Sequence, residues 1–315
     1  MTSASESYTG KDIKVLEGLE KAREKFDVIE LSNKVKKRKD FIILSRELKI
    51  KPRTLRLVVE EGRILSFFPD IHKSKANALS RLRTNRELKL FSEKFEVYKT
   101  SARKLYRLVK KWNLDIQKNP HLLISQKEHD LIIGSLLGDA SIRRRERYCC
   151  FRVSHSIKQR DYINLKFNLF KDFKISEFRE VKRKIRDSFI HAIDFSTYTH
   201  PVFNYYRNLF YKNGRKAVTK EILDQINPRS LTIWICDDGS YDNRQGYIVL
   251  CTNAYSLEEH KLMKQFFKER FGLNPTIGFR DKKYYFLRFK QEDSRKLIEI
   301  IRSFIPESMK YKIGE

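Results

Sequence analysis

The sequence predicts an α+β fold that contains an internal duplication and follows an all-α region. From residue 126 onward, amphipathic helices alternate with short strands rich in Tyr, Phe, Ile and Val, and the order helix, two strands, helix, two strands, helix occurs twice. Each repeat opens on an apolar run that ends at an aspartate. Before residue 126, apolar residues recur at helical spacing. The predicted domains are a helical segment at 1–36, a tandem helix-turn-helix-like region at 37–120, and two halves at 126–225 and 226–315.

The composition indicates a polyanionic partner. Lys and Arg number 67 against 40 Asp and Glu, so the formal net charge is +27, and a positive field of this strength most often serves nucleic acid. A basic ribosomal component is the alternative, but aromatic residues make up 12% of the chain, more than suits a short low-complexity protein. The longest apolar runs hold five to eight residues, far below the roughly 18 that a membrane helix needs, so no membrane partner is expected.

The cysteines indicate a reducing compartment. None of Cys149, Cys150, Cys236 and Cys251 belongs to a C-x-x-C pair, which argues against a structural zinc site and favours a reducing interior. We therefore expect a cytoplasmic, nucleoid-associated protein, although an organelle would fit the same cysteine pattern.

Residues 44–62, LSRELKIKPRTLRLVVEEG, are typical of a helix, a short turn and a second helix. Pro52 suits the first turn of the second helix, where its missing N–H is not needed. The apolar face continues at helical spacing beyond Pro52, so Arg53 and Arg56 are expected on the outer side. This is the layout of a helix-turn-helix, whose second helix enters the major groove of DNA. A plain helical hairpin is the alternative.

The same pattern recurs, at an offset of 47 residues, in FSEKFEVYKTSARKLYRLV at 91–109, where Arg103 takes the place of Arg56. A spaced match at a fixed offset indicates two small basic helical units in tandem. One such unit buries little surface, so pairing would raise its discrimination. Residues 115–125, DIQKNPHLLIS, are predicted to be the linker to the next domain because of Pro120.

Two apolar runs carry the strongest chemical signal. LIIGSLLGDAS covers residues 131–141, and LTIWICDDGS covers residues 231–240. Gly134 and Gly138 are four residues apart and therefore share one helix face. Small residues on one face allow two helix backbones to approach closely. If the two halves pack as a pseudo-dimer, these helices should meet along the near-twofold axis.

Each of these helices would then deliver its terminal carboxylate, Asp139 or Asp238, to the same place. Two adjacent carboxylates repel each other, and one would normally take up a proton. Divalent cations remove that conflict, and oxygen ligands suit Mg²⁺, with Mn²⁺ as the alternative. Two such ions about 3.5–4 Å apart support in-line hydrolysis of a phosphodiester. The alternative role of each Asp is to cap the loop that follows it.

The two runs resemble the paired motifs of the LAGLIDADG homing endonucleases, and the second, a Trp followed by Asp-Asp-Gly, is similar to the type 2 branch. The resemblance covers residues 126–315 and ends on MKYKI. It implies a saddle of two αββαββα halves related by a pseudo-twofold axis, with two four-stranded antiparallel sheets laid in the major groove of duplex DNA. It also implies a monomer that binds a long asymmetric target and cleaves both strands across the minor groove, with a divalent metal, leaving short 3′ overhangs.

The resemblance implies roles for individual residues. The last acidic position of each motif falls on Asp139 and on Asp238, which makes them the implied metal ligands. Asp237 comes one residue earlier, where the family usually has a small residue, and is interpreted as secondary. Ile233 and Asp237 also stand where the first motif has its two glycines, so the second helix is bulkier and an asymmetric interface is expected.

Two further positions of the family carry polar or basic side chains. A Gln or another polar residue late in a strand often helps to hold the metal-bound water, and His155 and Asn253 take that place. A Lys near the active site stabilises charge, and Lys216 and Lys312 are the candidates. A solvated surface Lys is the alternative reading of each.

The strands are expected to supply sequence readout. They are predicted at residues 148–155, 189–196, 246–253 and 284–290. Alternation puts every second side chain on the groove face, where Arg would contact guanine edges and Lys would contact phosphates. The candidates are the basic residues in or beside the strands: Arg152, Arg179, Lys182, Lys184, Arg280, Arg288 and Lys290.

The sequence thus predicts a site-specific double-stranded DNA endonuclease with an N-terminal DNA-binding extension. Two alternatives stay open. An RNA-splicing maturase could keep the same residues and add a surface for intron RNA. A non-catalytic DNA-binding regulator on the same fold would usually lose the acidic pair, and here both acids persist.

A separate stretch, SYTGKDIKVLEGLE at residues 7–20, resembles the extreme N-terminus of the ATPase subunit of bacterial DNA gyrase. The resemblance suggests a reading frame that begins in a gyrase exon and runs on into an intron. Because homing enzymes of this kind generally cut the uninterrupted form of their host gene, the expected target is an intronless gyrase subunit gene near the codons that follow VLEGLE. An ordinary amphipathic helix is the alternative.

Overall fold

The structure is a computed structural model and describes residues 28–35, 38–47, 49–173, 175–185 and 188–315. The chain divides into two compact units, residues 1–112 and 113–315. Most of the helical segment predicted at 1–36, including the gyrase-like stretch, lies outside the described residues. The side chains of Arg53 and Lys184, two of the predicted DNA contacts, also lie outside the description. Across the described ranges, no helix has the length and apolar character that a membrane crossing requires.

The first unit is built from helices. In its described part they are α1 (Val28–Lys34), α2 (Arg38–Glu47), α3 (Pro52–Phe67), α4 (Lys73–Leu79), α5 (Asn85–Lys94) and α6 (Ala102–Lys118), which continues past the unit boundary. The two predicted helix-turn-helix stretches fall on α2 with α3 and on α5 with α6. As expected, Pro52 occupies the start of α3. The helix α6 extends to Lys118, into the predicted linker, because Ile116 is fully buried and continues its apolar face.

The second unit contains the duplicated fold. Its first half comprises α7 (Gln126–Leu137), β1 (Ser141–Arg144), β2 (Cys149–Ser156), α8 (Arg160–Leu169), β3 (Arg179–Ile185), β4 (Ser188–Ser196) and α9 (Val202–Phe210). A two-stranded ribbon, β5 (Tyr211–Lys212) with β6 (Arg215–Lys216), and the short helix α10 (Lys220–Leu223) lead to the second half. That half comprises α11 (Pro228–Asp238), β7 (Gly239–Asp242), β8 (Tyr247–Leu250), α12 (Leu257–Phe271), β9 (Thr276–Arg280), β10 (Tyr284–Phe289) and α13 (Gln291–Ile301), followed by 3₁₀ turns at Arg302–Phe304 and Glu307–Ile313.

Each half carries one four-stranded antiparallel sheet. The strand orders are β1-β2-β4-β3 and β7-β8-β10-β9, so the two sheets have the same topology and the predicted α+β duplication is confirmed. The predicted strands are the four central ones, β2, β4, β8 and β10. The edge strands were not predicted individually because they are short or rich in charge, as in REVKRKI at 179–185.

The two halves meet along α7 and α11. A Cβ atom built on Gly134 would collide with the carbonyl oxygen of Ser230 and lie 2.7 Å from Cβ of Ile233, and one built on Gly138 would lie 2.5 Å from Cβ of Asp237. The two glycines therefore leave the space that Ile233 and Asp237 fill, which confirms the expected asymmetric close packing.

The same helix pair is also joined at its other end. The side chain of Asn227, the N-cap of α11, donates a hydrogen bond of 2.7 Å to Oδ1 of Asp130 in α7. Arg229 lies 3.6 Å from Oδ2 of the same carboxylate. Polar contacts at the start of the helices and glycine contacts near their ends together fix the register of the seam.

We predict that Gly134→Ala destabilises the second unit by roughly 1–3 kcal/mol. Overpacking against backbone atoms should outweigh the gain of about 1 kcal/mol that Ala brings to a helix interior. Urea denaturation followed by near-ultraviolet circular dichroism measures the change. Lys127→Ala, at an exposed position of the same helix, should change stability by less than about 0.5 kcal/mol. A Gly134→Ala variant as stable as the wild type would contradict the described seam.

Candidate active site

The two motif helices end side by side, and each end carries an aspartate. The helix α11 ends at Asp238, and Asp139 follows directly after Gly138, the C-cap of α7. The side chain of Asp139 is 43% exposed. Burial, together with the negative charges of Asp139 and Asp237, raises the pKa of Asp238 to about 8. The structure therefore brings the two sequence-predicted acids into one electrostatically coupled site.

Asp139 is held as an anion. Burial disfavours its charged form, but the adjacent imidazole of His155 and the positive charges of Lys166 and Lys312 outweigh burial, and the pKa of Asp139 lies below its ordinary value. The Nδ1 atom of His155 lies 3.3 Å from Oδ2 of Asp139. The two acids of the pair thus differ: one is stabilised as a carboxylate, while the other retains its proton up to mildly alkaline pH.

Lys216 binds the turn that carries Asp139. Its Nζ donates hydrogen bonds of 2.9, 2.8 and 2.9 Å to the carbonyl oxygens of Leu136, Gly138 and Ala140. A lysine has three N–H donors, so all of them are used here. Burial lowers the pKa of Lys216, against the opposing effect of the three nearby aspartates. Its ammonium group fixes the end of α7 and adds positive charge beside the acids.

Lys312 makes the corresponding contact in the second half. Its Nζ donates a hydrogen bond of 2.7 Å to the carbonyl oxygen of Gly239, which follows Asp238. Both predicted lysines therefore lie at the helix ends, where backbone carbonyls and carboxylates concentrate negative charge.

Asp237 is the centre of a buried network that the sequence did not predict. Both of its carboxylate oxygens accept hydrogen bonds from Nζ of Lys166, at 2.7 and 2.9 Å, and Oδ1 also accepts one of 2.8 Å from the hydroxyl of Tyr162. The backbone N–H of Asp139 points at Oδ2 from 3.4 Å. Since Lys166 and Tyr162 belong to the first half and Asp237 to the second, the network ties the two halves together beside the acids.

One sequence signal could have revealed Lys166. It lies four residues after Tyr162 in α8, on the buried face of the helix, where an apolar residue is expected. Its side chain is nevertheless only 1% exposed. A lysine in such a stripe needs a buried anion. The identity of that anion could not be read from the sequence, because Asp237 lies 71 residues away.

The two predicted polar positions occupy different surroundings. His155 is 3% exposed, and neither of its ring nitrogens has a hydrogen-bond partner among the described residues. Asn253 is exposed in the turn after β8, where its Oδ1 accepts a hydrogen bond of 3.3 Å from Arg280. The structure therefore brings His155, and not Asn253, into direct contact with the acidic centre.

The basic residues of the first sheet do not share one face. Arg152 and Arg179 both form ion pairs with the buried carboxylate of Asp194. Lys182, which is exposed, is three positions after Arg179 in a regular ladder, so it lies on the opposite face. Of the predicted DNA contacts, Arg179 and Lys182 therefore lie on different faces of the sheet.

The predicted basic residues of the second sheet are exposed to solvent. Arg280, Arg288 and Lys290 are exposed, and the guanidinium group of Arg288 lies 5.2 Å from the ring centre of Tyr247 and 5.8 Å from that of Phe286. This face offers cations beside aromatic rings.

The donor set of the acidic centre fits a divalent cation. The carboxylate of Asp139 lies beside the buried imidazole of His155, whose ring nitrogens have no hydrogen-bond partner among the described residues. Asp139, His155 and Asp237 each offer a ligand atom within 4.8 Å of the other two. Burial, followed by the charges of Asp139 and Asp237, raises the pKa of Asp238 against the opposing effects of Lys216 and Lys312. A bound cation would supply further positive charge.

Comparison with known proteins gives a consistent assignment. A sequence profile of the LAGLIDADG DNA endonuclease family matches residues 129–297. The intron-encoded endonuclease ai4 of Dictyostelium discoideum is 34% identical over 125 residues, which cover 38% of this chain and 76% of that protein. The cytochrome b mRNA maturase bI2 of Debaryomyces hansenii is 28% identical over 196 residues, which cover 59% of this chain and 72% of that protein.

Other relatives are longer, and one solved structure shares the fold. The chain spans about half the length of relatives named RecA from Mycolicibacterium flavescens and Mycolicibacterium chitae, 48% of each. The homing endonuclease I-WcaI bound to its DNA recognition sequence matches with a TM-score of 0.55 and 24% identity over 60% of this chain and 86% of that one. Because the profile match spans more than half of the sequence, the chain belongs to the LAGLIDADG DNA endonuclease family.

Proposed function

We propose that this chain is a divalent-metal-dependent endonuclease that cleaves both strands of duplex DNA at one specific site. The observation that carries the proposal is the convergence of Asp139 and Asp238 at the end of one close-packed helix pair, beside Lys216 and Lys312. A divalent cation, when bound by the two carboxylates, would activate water and neutralise charge on the scissile phosphate. Mg²⁺ or Mn²⁺ fits these oxygen donors.

The lysines have distinct tasks in this proposal. Lys216 has all its donors on backbone carbonyls, so it positions the turn of Asp139 and contributes charge without a direct bond to the phosphate. Among the described residues, Lys312 donates one hydrogen bond, to the carbonyl oxygen of Gly239. Its other N–H groups are therefore available to a phosphate oxygen. Preorganised charge of this kind stabilises a transition state that gains negative charge.

Recognition would come from the open faces of the two sheets. Arg280 and Arg288 on the second sheet, and Arg152 and Arg179 on the first, would contact base edges or phosphates. One chain supplies both halves, and the halves differ in their side chains, so a monomer would fit a long asymmetric site.

The helical unit offers a second DNA-binding surface. A cavity of about 580 Å³ between α4 and α6 is lined by Arg81, Arg103, Tyr106, Arg107 and Lys110. The guanidinium group of Arg81 lies 4.4 Å from the ring centre of Tyr106. In the described part of the chain, no carboxylate pairs with Arg103, Arg107 or Lys110. Unpaired cations along one face of a 17-residue helix suit the phosphates that border a groove.

A maturase is the second candidate function. It is favoured by the 28% identity to the cytochrome b mRNA maturase bI2. A splicing assay on an RNA that contains the host intron would separate the two activities. If the protein supports splicing only by binding the RNA, splicing should persist when Asp139 is replaced.

Asp139→Asn and Asp238→Asn should each reduce double-strand cleavage on the order of 10³-fold, because each removes several kcal/mol of charge stabilisation. Binding should stay within a few-fold, since neither acid is expected to touch bases. The assay uses a target selected by binding from a random duplex library. Asp172→Asn, an exposed acid in the same half, is the matched control. Unchanged cleavage by either active-site variant would refute the proposed roles.

Asp238→Asn should stabilise the metal-free protein at alkaline pH. The ordinary pKa of an aspartate is 3.8, and that of Asp238 in the fold is about 8, so the folded state holds a proton that the unfolded chain loses within this window. Stability therefore falls as pH rises from about 4 to about 8. At pH 8.5 with a chelator, the variant should melt on the order of 10 °C higher, because a shift of about four pKa units corresponds to roughly 5 kcal/mol and each kcal/mol to about 2–4 °C.

The difference should shrink toward pH 4, and added Mn²⁺ should raise the melting temperature of the wild type more than that of the variant. Differential scanning calorimetry measures both effects, with Asp172→Asn as the control. If the melting temperature of the variant at pH 8.5 equals or lies below that of the wild type, the charged form of Asp238 does not destabilise the fold.

The double variant Arg103→Ala, Arg107→Ala should bind the selected target about ten-fold less tightly and lower the slope of log affinity against log salt by about two, one per lost phosphate contact. Fluorescence anisotropy at several salt concentrations measures both values. The matched control, Lys89→Ala with Lys94→Ala, removes two exposed charges outside the cavity. Equal effects of the two pairs would mean that the cavity is not a specific DNA contact.

A further inference from the structure

The acidic centre contains a buried imidazole that the proposed oxygen ligands leave unexplained. His155 lies near the end of β2, is 3% exposed, and has no hydrogen-bond partner for Nδ1 or Nε2 among the described residues. Buried ring nitrogens normally find a partner, because an unpaired buried polar atom is costly. The ring nitrogens of His155 are therefore open to a partner that the described residues do not supply.

The geometry on one side of the ring matches that of two ligands on one ion. Nδ1 of His155 lies 3.3 Å from Oδ2 of Asp139 but makes no hydrogen bond among the described residues. Metal–ligand bonds of about 2.0–2.2 Å place neighbouring ligand atoms about 3.0–3.4 Å apart in octahedral or tetrahedral sites. An ion between these two atoms would satisfy Nδ1.

The geometry on the other side of the ring is that of an orienting carboxylate. Nε2 of His155 faces Oδ1 of Asp237 at 3.9 Å, and Lys166 and Tyr162 fix that carboxylate by hydrogen bonds. Metal-bound histidines commonly direct their second ring nitrogen at a carboxylate, which sets the ring orientation. Since Lys166 already bonds both oxygens of Asp237, this acid is better suited to hold the ring than to bind the ion itself.

We propose that His155 binds the ion of Asp139 directly through Nδ1, so that the first half of the site takes a first-row transition-metal ion such as Mn²⁺ in preference to Mg²⁺. This inference rests on the proposed metal-dependent function. Imidazole nitrogen suits transition metals, whereas Mg²⁺ is held by oxygen. The second half has Asn253 in the corresponding place, exposed and hydrogen-bonded to Arg280, so its donors are oxygens alone. The two halves would then differ in metal preference.

The test is electron spin echo envelope modulation of the full chain with one equivalent of Mn²⁺. We expect ¹⁴N modulation from a bound imidazole, and its replacement by ¹⁵N modulation when the protein is labelled with ¹⁵N-histidine. The labelled protein needs no substitution, so the result does not depend on whether a variant folds. Wild-type protein without nitrogen modulation would overturn the proposal.

Substitution identifies the histidine. His155→Gln should lose the nitrogen modulation, lower Mn²⁺ affinity about ten-fold or more, and leave Mg²⁺ affinity within about two-fold. His191→Gln, which changes an exposed histidine on the neighbouring strand, should keep the modulation. Modulation that persists unchanged in a folded His155→Gln protein would overturn the assignment.

Cleavage measured on the same samples separates this inference from the proposed function. DNA cleavage with Mn²⁺ but without nitrogen modulation would overturn the histidine ligand and leave the endonuclease intact. Nitrogen modulation without cleavage would support the ligand and overturn the proposed function.

Discussion

The close approach of α7 and α11 is the constraint on which the rest of the second unit depends. Gly134 and Gly138 provide no side chain, and Ile233 and Asp237 occupy the space that they leave. Small residues permit this approach, and dispersion contacts over the whole seam stabilise it. Because the two helices run side by side to their ends, the residues that follow them must lie together. The pairing of Asp139 with Asp238 is therefore a consequence of packing at two glycines.

That packing brings negative charges together, and the surrounding residues compensate them only in part. Two helix ends and three carboxylates concentrate negative charge at one place. Lys216 and Lys312 bind the carbonyl groups of the turns, and Lys166 neutralises Asp237. A buried ion pair contributes little net stability, since desolvation offsets the attraction between its charges. We interpret the Lys166–Asp237 pair as a device that fixes the register of the two halves, and the remaining charge as the attraction for a cation.

The parts of this arrangement that sequence could predict are those that depend on local spacing. The two motifs, the glycine face of α7, the bulkier α11 and the four central strands follow from periodicity and composition, because a buried helix or a central strand must show an apolar pattern. The edge strands escaped prediction because they are exposed on one side and need no such pattern.

Long-range partners could not be derived in the same way. The role of Asp237 depends on Lys166, 71 residues away, and the carbonyl contacts of Lys216 span 76 to 80 residues. A spacing rule identifies which residues share a face, but the partner across the interface is set by the packing of the whole unit.

The central claim is that one close-packed helix pair builds a shared metal centre from two acids of different electrostatic character. Anomalous diffraction at the manganese edge, on crystals of the protein with its selected DNA target and Mn²⁺, tests it most directly. The account predicts manganese within bonding distance of carboxylate oxygens from both Asp139 and Asp238, at the end of the helix seam. Manganese bound elsewhere, or by carboxylates of only one half, would contradict it.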